Sequence, residues 1–562
     1  MSICREKRNG KVYLAEYKSV RQGKNVKHVF VRYLGVEGED GQPVKKPKRT
    51  LDKVKRSITL RSGDIQVMWK LVKELGFIES IDQMCCGERE ISGMSPGKLL
   101  SIWAVNRVLE PEACVNLPEW VQTTELPSLS GLVDEQLTDD SFLSALDFIC
   151  YHDADTNRTI DHSNLIDEML YQKWRSKNKI PNALPETVAY DMTSMLTFGT
   201  KCTLAENGVN KDHVNTKQVN LGLLVSKYDQ FPIAHFVYRG SRKDSTTIPN
   251  LLAHLAASSI QPGTMVWDRG NATKNHIETA EKAGWRVICG LAKTRTDVKK
   301  IIEDTNVEQN PQNYVKKSKA GALYAKRVQV NLFGKEMSAV VYMNMNKRSS
   351  EIDSRNDALT SIEQELIQLE QKGHDYSEAK LHEEIKKITR GWSDYISVQV
   401  KRNPSGPRLE WGLLDHEIET ASKSDGKYLL YSTDQNLSAR EVVQAYLQKD
   451  HIEKVFRTMK TRNKLEPLRH TLENRVRAII FVNVLAFRLI AVLQHRLCLI
   501  EKQETAWDSL EDLLKDLSRV ERMEVNQSNN KQTWFLNVTK NVKETMKSMG
   551  WEGIFNDRDS SG

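Results

Sequence analysis

Residues 10–35, GKVYLAEYKSVRQGKNVKHVFVRYLG, alternate aromatic or β-branched residues with polar ones around Gly23. A period of two predicts strands and the glycine predicts the turn, so this segment is a small basic β-hairpin. The following GVEGEDGQPVKKPKRT, residues 35–50, has the composition of a linker. From about residue 57 to 175 the period lengthens to that of helices. Residues 65–77 are amphipathic, and Ser95-Pro96 before GKLLSIWAVNRVLE reads as an N-cap followed by proline at the first helical position. Thr138-Asp139-Asp140 opens a further helix, SFLSALDFICYH.

Between 186 and 295 the pattern changes again. ETVAYDMTSMLTF, VNLGLLVS and FPIAHFVYRGS read as strands, the last two joined by a turn at Asp229-Gln230. STTIPNLLAHLAAS is a helix, TMVWDRG a strand, NHIETAEKAG a helix and WRVICGLAK a strand. The order β-β-β-α-β-α-β predicts an α/β class: a mixed sheet with helices packed on it. Asp191 is expected at the end of one strand, TVAYD, and Asp268 at the end of another, TMVWD.

Residues 296–435 read as a β-rich insertion. It holds a hairpin turning at Phe333-Gly334, two charged helices over 357–390 joined at Lys372-Gly373-His374, and the strands YISVQVKR and KYLLYSTD. Ser438, with Glu441 three residues on, caps helices expected to run to about residue 500. The most apolar piece, AIIFVNVLAFRLIAVL at 478–493, is broken by Asn483 and Arg488. It falls short of the ~20 apolar residues of a membrane span and predicts a buried core helix. The tail, 501–562, is polar and helical at first.

A chain of 562 residues is too long for one core, so two to four domains are expected. Its eight cysteines form no CxxC pair and read as reduced, mostly packed thiols. The start, MSICREKRNG, lacks an apolar leader, which makes a cytoplasmic protein the expectation. The formal charge of +8 is modest, but basic runs at 5–8, 45–56 and 449–477 favour a polyanionic partner, most simply nucleic acid.

The stretch YLQKDHIEKVFRTMKTRNK, 446–464, sets Glu453 among Lys449, Lys454, Arg457, Lys460, Arg462 and Lys464. On one continuous helix, Tyr446, Glu453 and Lys460 are seven apart and share a face, with Arg457 and Lys464 on the same stripe. A solvated helix with i,i+4 pairs accounts for this pattern when it is taken alone. Asp191 and Asp268 are likewise each explicable as turn or cap residues. Two strand aspartates and a helical glutamate together make a different set. Three oxygen-only ligands suit two hard Mg²⁺ ions for in-line attack on phosphorus, while the surrounding cations grip phosphates.

With these residues the chain resembles the DDE transposases of bacterial and archaeal insertion sequences, of the insertion-sequence family four type. Their YREK signature is tyrosine, two residues, arginine, three residues, glutamate, six residues, lysine. Here Tyr446, Lys449, Glu453 and Lys460 stand at those spacings, with lysine for arginine, which keeps the charge but loses the planar fork. YDMTSMLTFG around Asp191 and WDRGNATKNH around Asp268 carry the resemblance further.

The resemblance implies an RNase H-like catalytic core interrupted by a β-rich insertion. Asp191, Asp268 and Glu453 would be catalytic ligands of two Mg²⁺ ions, with Mn²⁺ as a substitute. Tyr446 would lie near the terminal nucleotides, and Lys449 and Lys460 on backbone phosphates. Helix geometry and proximity add Arg269, Arg457 and Lys464 as DNA contacts. The expected parts are a basic hairpin and linker (1–50), a helical DNA-end-binding domain (51–180), the first part of the core (181–295), the insertion (296–435), the final core helices with Glu453 (436–500) and a tail (501–562) that is a candidate dimerisation element. Partners would be double-stranded DNA, as transposon ends and target, and a second copy in a DNA-bound homodimer, with no membrane and a place at the nucleoid. The activity would be binding of terminal inverted repeats, Mg²⁺-dependent cleavage and strand transfer. A transposase-derived DNA-binding protein without catalysis and a nuclease on the same fold are the alternatives. Trp392 and Trp411, in the insertion, are either core packing or stacking platforms for a base. His276, His451 and His470 show no ligand spacing, so no zinc is expected.

Overall fold

The N-terminal strands form an antiparallel sheet because their apolar and polar positions alternate. β1 (Ser2–Arg8), β2 (Lys11–Gln22), β3 (Asn25–Glu37) and β4 (Pro43–Val44) pair in that order. In this computed structural model the described residues are 1–8, 11–22, 25–38, 41–44, 56–85, 94–181, 186–209, 215–318, 321–373, 376–403, 406–500, 507, 509–527 and 530–556. The turn at Gly23, most of the basic run 45–56, Cys86 and His374 lie outside them. The chain divides into two units, one of Met1–Thr59, Met523–Trp534 and Asp557–Gly562, the other of Leu60–Arg522 and Phe535–Asn556.

The larger unit is built on a large mixed sheet. β5 (Thr187–Leu196), β6 (Asn215–Ser226), β7 (Pro232–Arg239), β8 (Thr264–Trp267) and β9 (Arg286–Gly290) lie in the spatial order β7-β6-β5-β8-β9. β5, β6 and β7 are antiparallel neighbours, whereas β8 runs parallel to both β5 and β9. The parallel pairings need crossovers, and helices α1 (Ile248–Ala257) and α2 (Lys274–Lys282) supply them. This is the predicted β-β-β-α-β-α-β order, with one short extra strand, Glu206–Val209, added beside β6.

The insertion departs from expectation. Four of its strands do not form a subdomain of their own but continue the same sheet past β9. β10 (Tyr314–Ser318), β11 (Gly321–Leu332), β12 (Lys335–Asn344) and β13 (Lys427–Ser432) extend the order as β9-β13-β12-β11-β10. The β11–β12 turn falls at Phe333-Gly334 as expected, both with positive φ. What stands apart is a helical hairpin, Met345–Lys372 and Glu378–Ile388, closed by the ribbon Ile396–Asn403 and Gly406–Leu413. Trp392 and Trp411 pack against its small apolar core, the packing alternative of the two readings.

The helices from Ser438 onward are also more broken than predicted. α3 (Ala439–Leu447), capped by the Ser438–Glu441 box, is separated from α4 (Asp450–Arg457) by Gln448-Lys449. A π-turn follows at Thr458–Arg462, and α5 (Glu473–Leu499) begins only after ten irregular residues. α5 is long and apolar enough to cross a membrane by composition, yet 94% of its most apolar window is buried inside the unit. Its two interrupting polar residues are fully buried, and Arg488 pairs with Asp167 at 2.8 Å. The Ser95 and Thr138 caps occur as read, each accepting from an N–H three residues on. The tail is helical at first, as read, over Leu510–Leu517; the strands Glu521–Gln527 and Asn530–Leu536, neighbours in one sheet, and a second short helix, Lys540–Ser548, follow it.

Candidate active site

β5 and β8 place two carboxylates side by side. Their parallel register pairs Thr264 with Thr187, Met265 with Val188 and Val266 with Ala189. Continued by two residues, it brings Asp268 level with Asp191. Asp268 follows the last residue of β8, as predicted. Asp191 lies inside β5, which runs on to Leu196, so the expectation that its strand ends there is corrected.

Side chains alternate across a sheet, so Asp191 and Asp268 share a face with Ala189 and Val266. That face carries Val266, Ile288, Val340 and Leu430, packed under Val442 and Val443 of α3. The opposite positions, Val188, Tyr190, Met265 and Trp267, enter the main core. Both aspartates therefore project toward the side of the sheet that α3 covers.

Asp268 is held by three donors. The Arg269 backbone N–H donates to its Oδ1 at 2.7 Å, the Lys449 ammonium lies 3.1 Å away, and the Tyr446 hydroxyl donates at 3.4 Å. Burial pulls the carboxyl toward protonation, but Lys449 and the Arg269 N–H outweigh it, leaving Asp268 below the usual carboxylate range. Burial, with the Asp268 charge beside it, drives the Tyr446 phenol the other way, so it keeps its proton. The Lys449 ammonium also sits 5.7 Å from the Tyr446 ring centroid.

Two residues outside the predicted set make this geometry possible. A Cβ on Gly290, the last residue of β9, would lie 2.6 Å from the Tyr446 hydroxyl, so only glycine leaves that space. A strand-end glycine is a readable sign of such close approach. Lys227, on the turn after β6, donates its ammonium to the Ala445 carbonyl in the last turn of α3. Burial pushes its pKa down to about 7. Nothing in its sequence context marks it.

The other predicted residues divide. Glu453 is exposed on α4, whose Ile452, Val455 and Phe456 are buried and which packs on β5. Among the described residues no three His, Cys, Asp or Glu side chains are grouped closely enough to hold a metal ion, so Asp191, Asp268 and Glu453 are not gathered into one cluster. Arg457 and Arg269 are exposed. Lys460 donates to the Ser194 carbonyl on β5 and pairs with Glu466 at 3.3 Å, and Lys464, at a positive φ, donates to the Pro111 carbonyl at 3.2 Å. The breaks flanking α4 mean that Tyr446, Glu453 and Lys460 do not share one helical stripe, as one continuous helix would have given. Tyr446 and Lys449 meet at Asp268, while Lys460 anchors the π-turn to β5. Beyond Asp191 along β5, a cavity of about 500 Å³ is lined by Thr193, Ser194, Asn220, Arg242 and Lys243 among others.

Residues 182–489, more than half of the chain, match the family model of the transposase DDE domain. The chain belongs to the DDE transposase family. Membership makes its general activity that of a transposase. Among solved structures it is similar to a piggyBac transposase in a synaptic complex with hairpin DNA. The identity is 9% and the TM-score 0.36, over 82% of this chain and 80% of that one. No curated protein matches the chain.

Proposed function

We propose that this transposase is of the insertion-sequence four type, binds the terminal inverted repeats of its own element, and cuts and joins DNA at a site formed by Asp191, Asp268 and Glu453. The observation that carries the reading is the pairing of two carboxylates on adjacent parallel strands, with Lys449 and Tyr446 converging on one of them. Oxygen-only donors suit a hard divalent cation, and the Lys449 ammonium already rests on Asp268, where a cation is electrostatically favoured. Asp191 and Asp268 would hold Mg²⁺, or Mn²⁺ in its place, and Glu453 would complete the set on its exposed helix. When bound, two such ions supply Lewis acidity, an activated water or 3′-hydroxyl, and stabilisation of the leaving oxygen.

The chain's own groups do the rest. Asp268 stays ionised because Lys449 and the Arg269 N–H favour its charge. Tyr446, protonated, orients that carboxylate as a donor. Lys449 and the exposed Arg269 and Arg457 serve the phosphates, whereas Lys460 and Lys464 position the backbone through the carbonyls they already bond. The DNA-bound form is a homodimer holding two ends, in the cytoplasm at the nucleoid.

The test uses purified protein, Mg²⁺ and a labelled duplex carrying the repeats that flank the gene. Wild type should nick and join strands, and Asp268→Asn and Glu453→Gln should each bind the duplex without cutting it. Binding without cleavage by the wild type would favour a silent DNA-binding protein. Cleavage without joining would favour a nuclease.

A further inference from the structure

The smaller unit carries a feature that the catalytic reading does not use. β1 pairs with β2 only from Lys11 to Tyr17, and β4 pairs with β3 only at Val36 and Glu37. Beyond Tyr17, β2 and β3 continue alone as a two-stranded ribbon, with Lys18 opposite Val29, Val20 opposite Lys27 and Arg21 opposite Val26. At ~3.4 Å per residue, Lys18–Gln22 projects about 17 Å past the edge of its sheet.

An isolated two-stranded hairpin is marginal in water unless a face is covered. Here, among the described residues, neither face is covered. Lys18–Arg21 and Asn25–Tyr33 are exposed throughout, including Val26 at 59% and Phe30 at 55%. Residues 18–29, KSVRQGKNVKHV, contain four Lys or Arg, one His and no carboxylate. The carboxylates of the neighbouring sheet are already engaged, Glu16 by Arg32 at 2.7 Å and Glu37 by Arg5 at 2.6 Å. Apolar and cationic residues thus alternate on both faces of a free arm that bears one sign of charge.

We infer that this arm, the paired stretches Lys18–Gln22 and Asn25–Val29, is a DNA-contacting element that inserts into the major groove. The major groove, ~12 Å wide and ~8.5 Å deep, admits a two-stranded ribbon. An arm of about 17 Å exceeds its depth, with cations on both faces to meet the two flanking phosphate backbones. Val20 and Val29 are placed for contact with base edges such as the thymine methyl. The inference deepens the transposase reading, from which it takes DNA as the polyanion.

The experiment measures binding of the full chain to a 30-base-pair mixed-sequence duplex over a range of salt concentrations. It compares the wild type with Lys18→Ala/Arg21→Ala/Lys27→Ala and with the charge-keeping Lys18→Arg/Arg21→Lys/Lys27→Arg. Each lost phosphate contact lowers the log–log salt slope by ~0.9, so the alanine variant should lose about 2 to 3. It should also lose protection of guanine N7 from methylation, with its melting temperature unchanged. The charge-keeping variant should retain the slope. An unchanged slope and unchanged protection in the alanine variant overturn the inference. So does a Val20→Ser/Val29→Ser variant that breaks a homodimer in sedimentation while binding DNA normally, since the arm would then be a contact between copies. Failure of the wild type to nick DNA with Mg²⁺ counts against the transposase reading alone, because the salt slope still decides the role of the arm.

Discussion

Gly290→Ala should damage the site through Tyr446 and through almost nothing else. The added Cβ would stand 2.6 Å from the Tyr446 hydroxyl and 3.1 Å from its Cζ, against the 3.4 Å at which ordinary contact begins. The ring must therefore retreat by about 0.8 Å, which disturbs an Asp268 bond that is already 3.4 Å long. Overpacking of this kind costs about 1–3 kcal/mol, and the hydrogen bond to a charged acceptor adds about 1.5 kcal/mol or less at that length. A four-protein cycle of wild type, Gly290→Ala, Tyr446→Phe and the double variant separates the two contributions. Removing the hydroxyl relieves the closest contact, so Gly290→Ala should cost roughly 1 kcal/mol less in the Tyr446→Phe background. Urea midpoints and Mg²⁺-dependent nicking rates, measured on all four proteins, give the coupling. An identical cost in both backgrounds would refute the packing of Tyr446 against Gly290, and with it the route by which α3 reaches Asp268.

Other consequences are more local. Asp268 has a depressed folded-state pKa, so the stability it contributes is complete above its unfolded value of ~3.9 and is lost as pH falls through the lower folded value. Lys449→Met removes the main countercharge to its burial, so this share of the stability is lost and the acid limb of a melting-temperature-versus-pH curve should become shallower. An unchanged limb contradicts the pairing. Asp167 accepts from His235 at 2.6 Å and pairs with Arg488 at 2.8 Å, all three fully buried. Asp167→Asn leaves the Arg488 charge uncompensated and should cost about 3–5 kcal/mol, measured by denaturant unfolding. Lys227→Met, which frees the Ala445 carbonyl, should slow nicking while leaving the melting temperature nearly unchanged, and Lys227→Arg should restore part of the rate.

Much of this was legible because local signals and tertiary structure agree. The period of two through β5, β6 and β7, the caps at Ser95 and Thr138, and the positive-φ turn at Phe333-Gly334 each state their own structure. The failures occur where distant contacts decide. Nothing near residue 427 says that β13 will pair with β9, some 140 residues earlier, and so turn an apparent subdomain into an extension of the core sheet. No glycine or proline marks the break at Gln448-Lys449. Residues on either side of it, Tyr446 and Lys449, converge on Asp268, whose position is set by another element. Asp191 lies inside its strand rather than at its end because the pairing of β5 with β6 carries on from Met192–Gly222 to Leu196–Gln218, a partner some 20 to 30 residues away in the chain. The sequence thus pointed to Asp191 and Asp268 on two strands, while the contacts of Tyr446 and Lys449 with Asp268, and the supports Lys227 and Gly290, needed the fold.

The proposed site requires Asp191, Asp268 and Glu453 to act on one metal centre, although Glu453 stands exposed on its own helix. Replacing Mg²⁺ with Fe²⁺ in the protein–DNA complex and adding ascorbate and peroxide would cut the backbone wherever the metal sits. The account predicts fragments ending near residues 191, 268 and 453 together, all lost in Asp268→Asn. Cleavage at 191 and 268 that never reaches 453, in the presence of DNA, would contradict it.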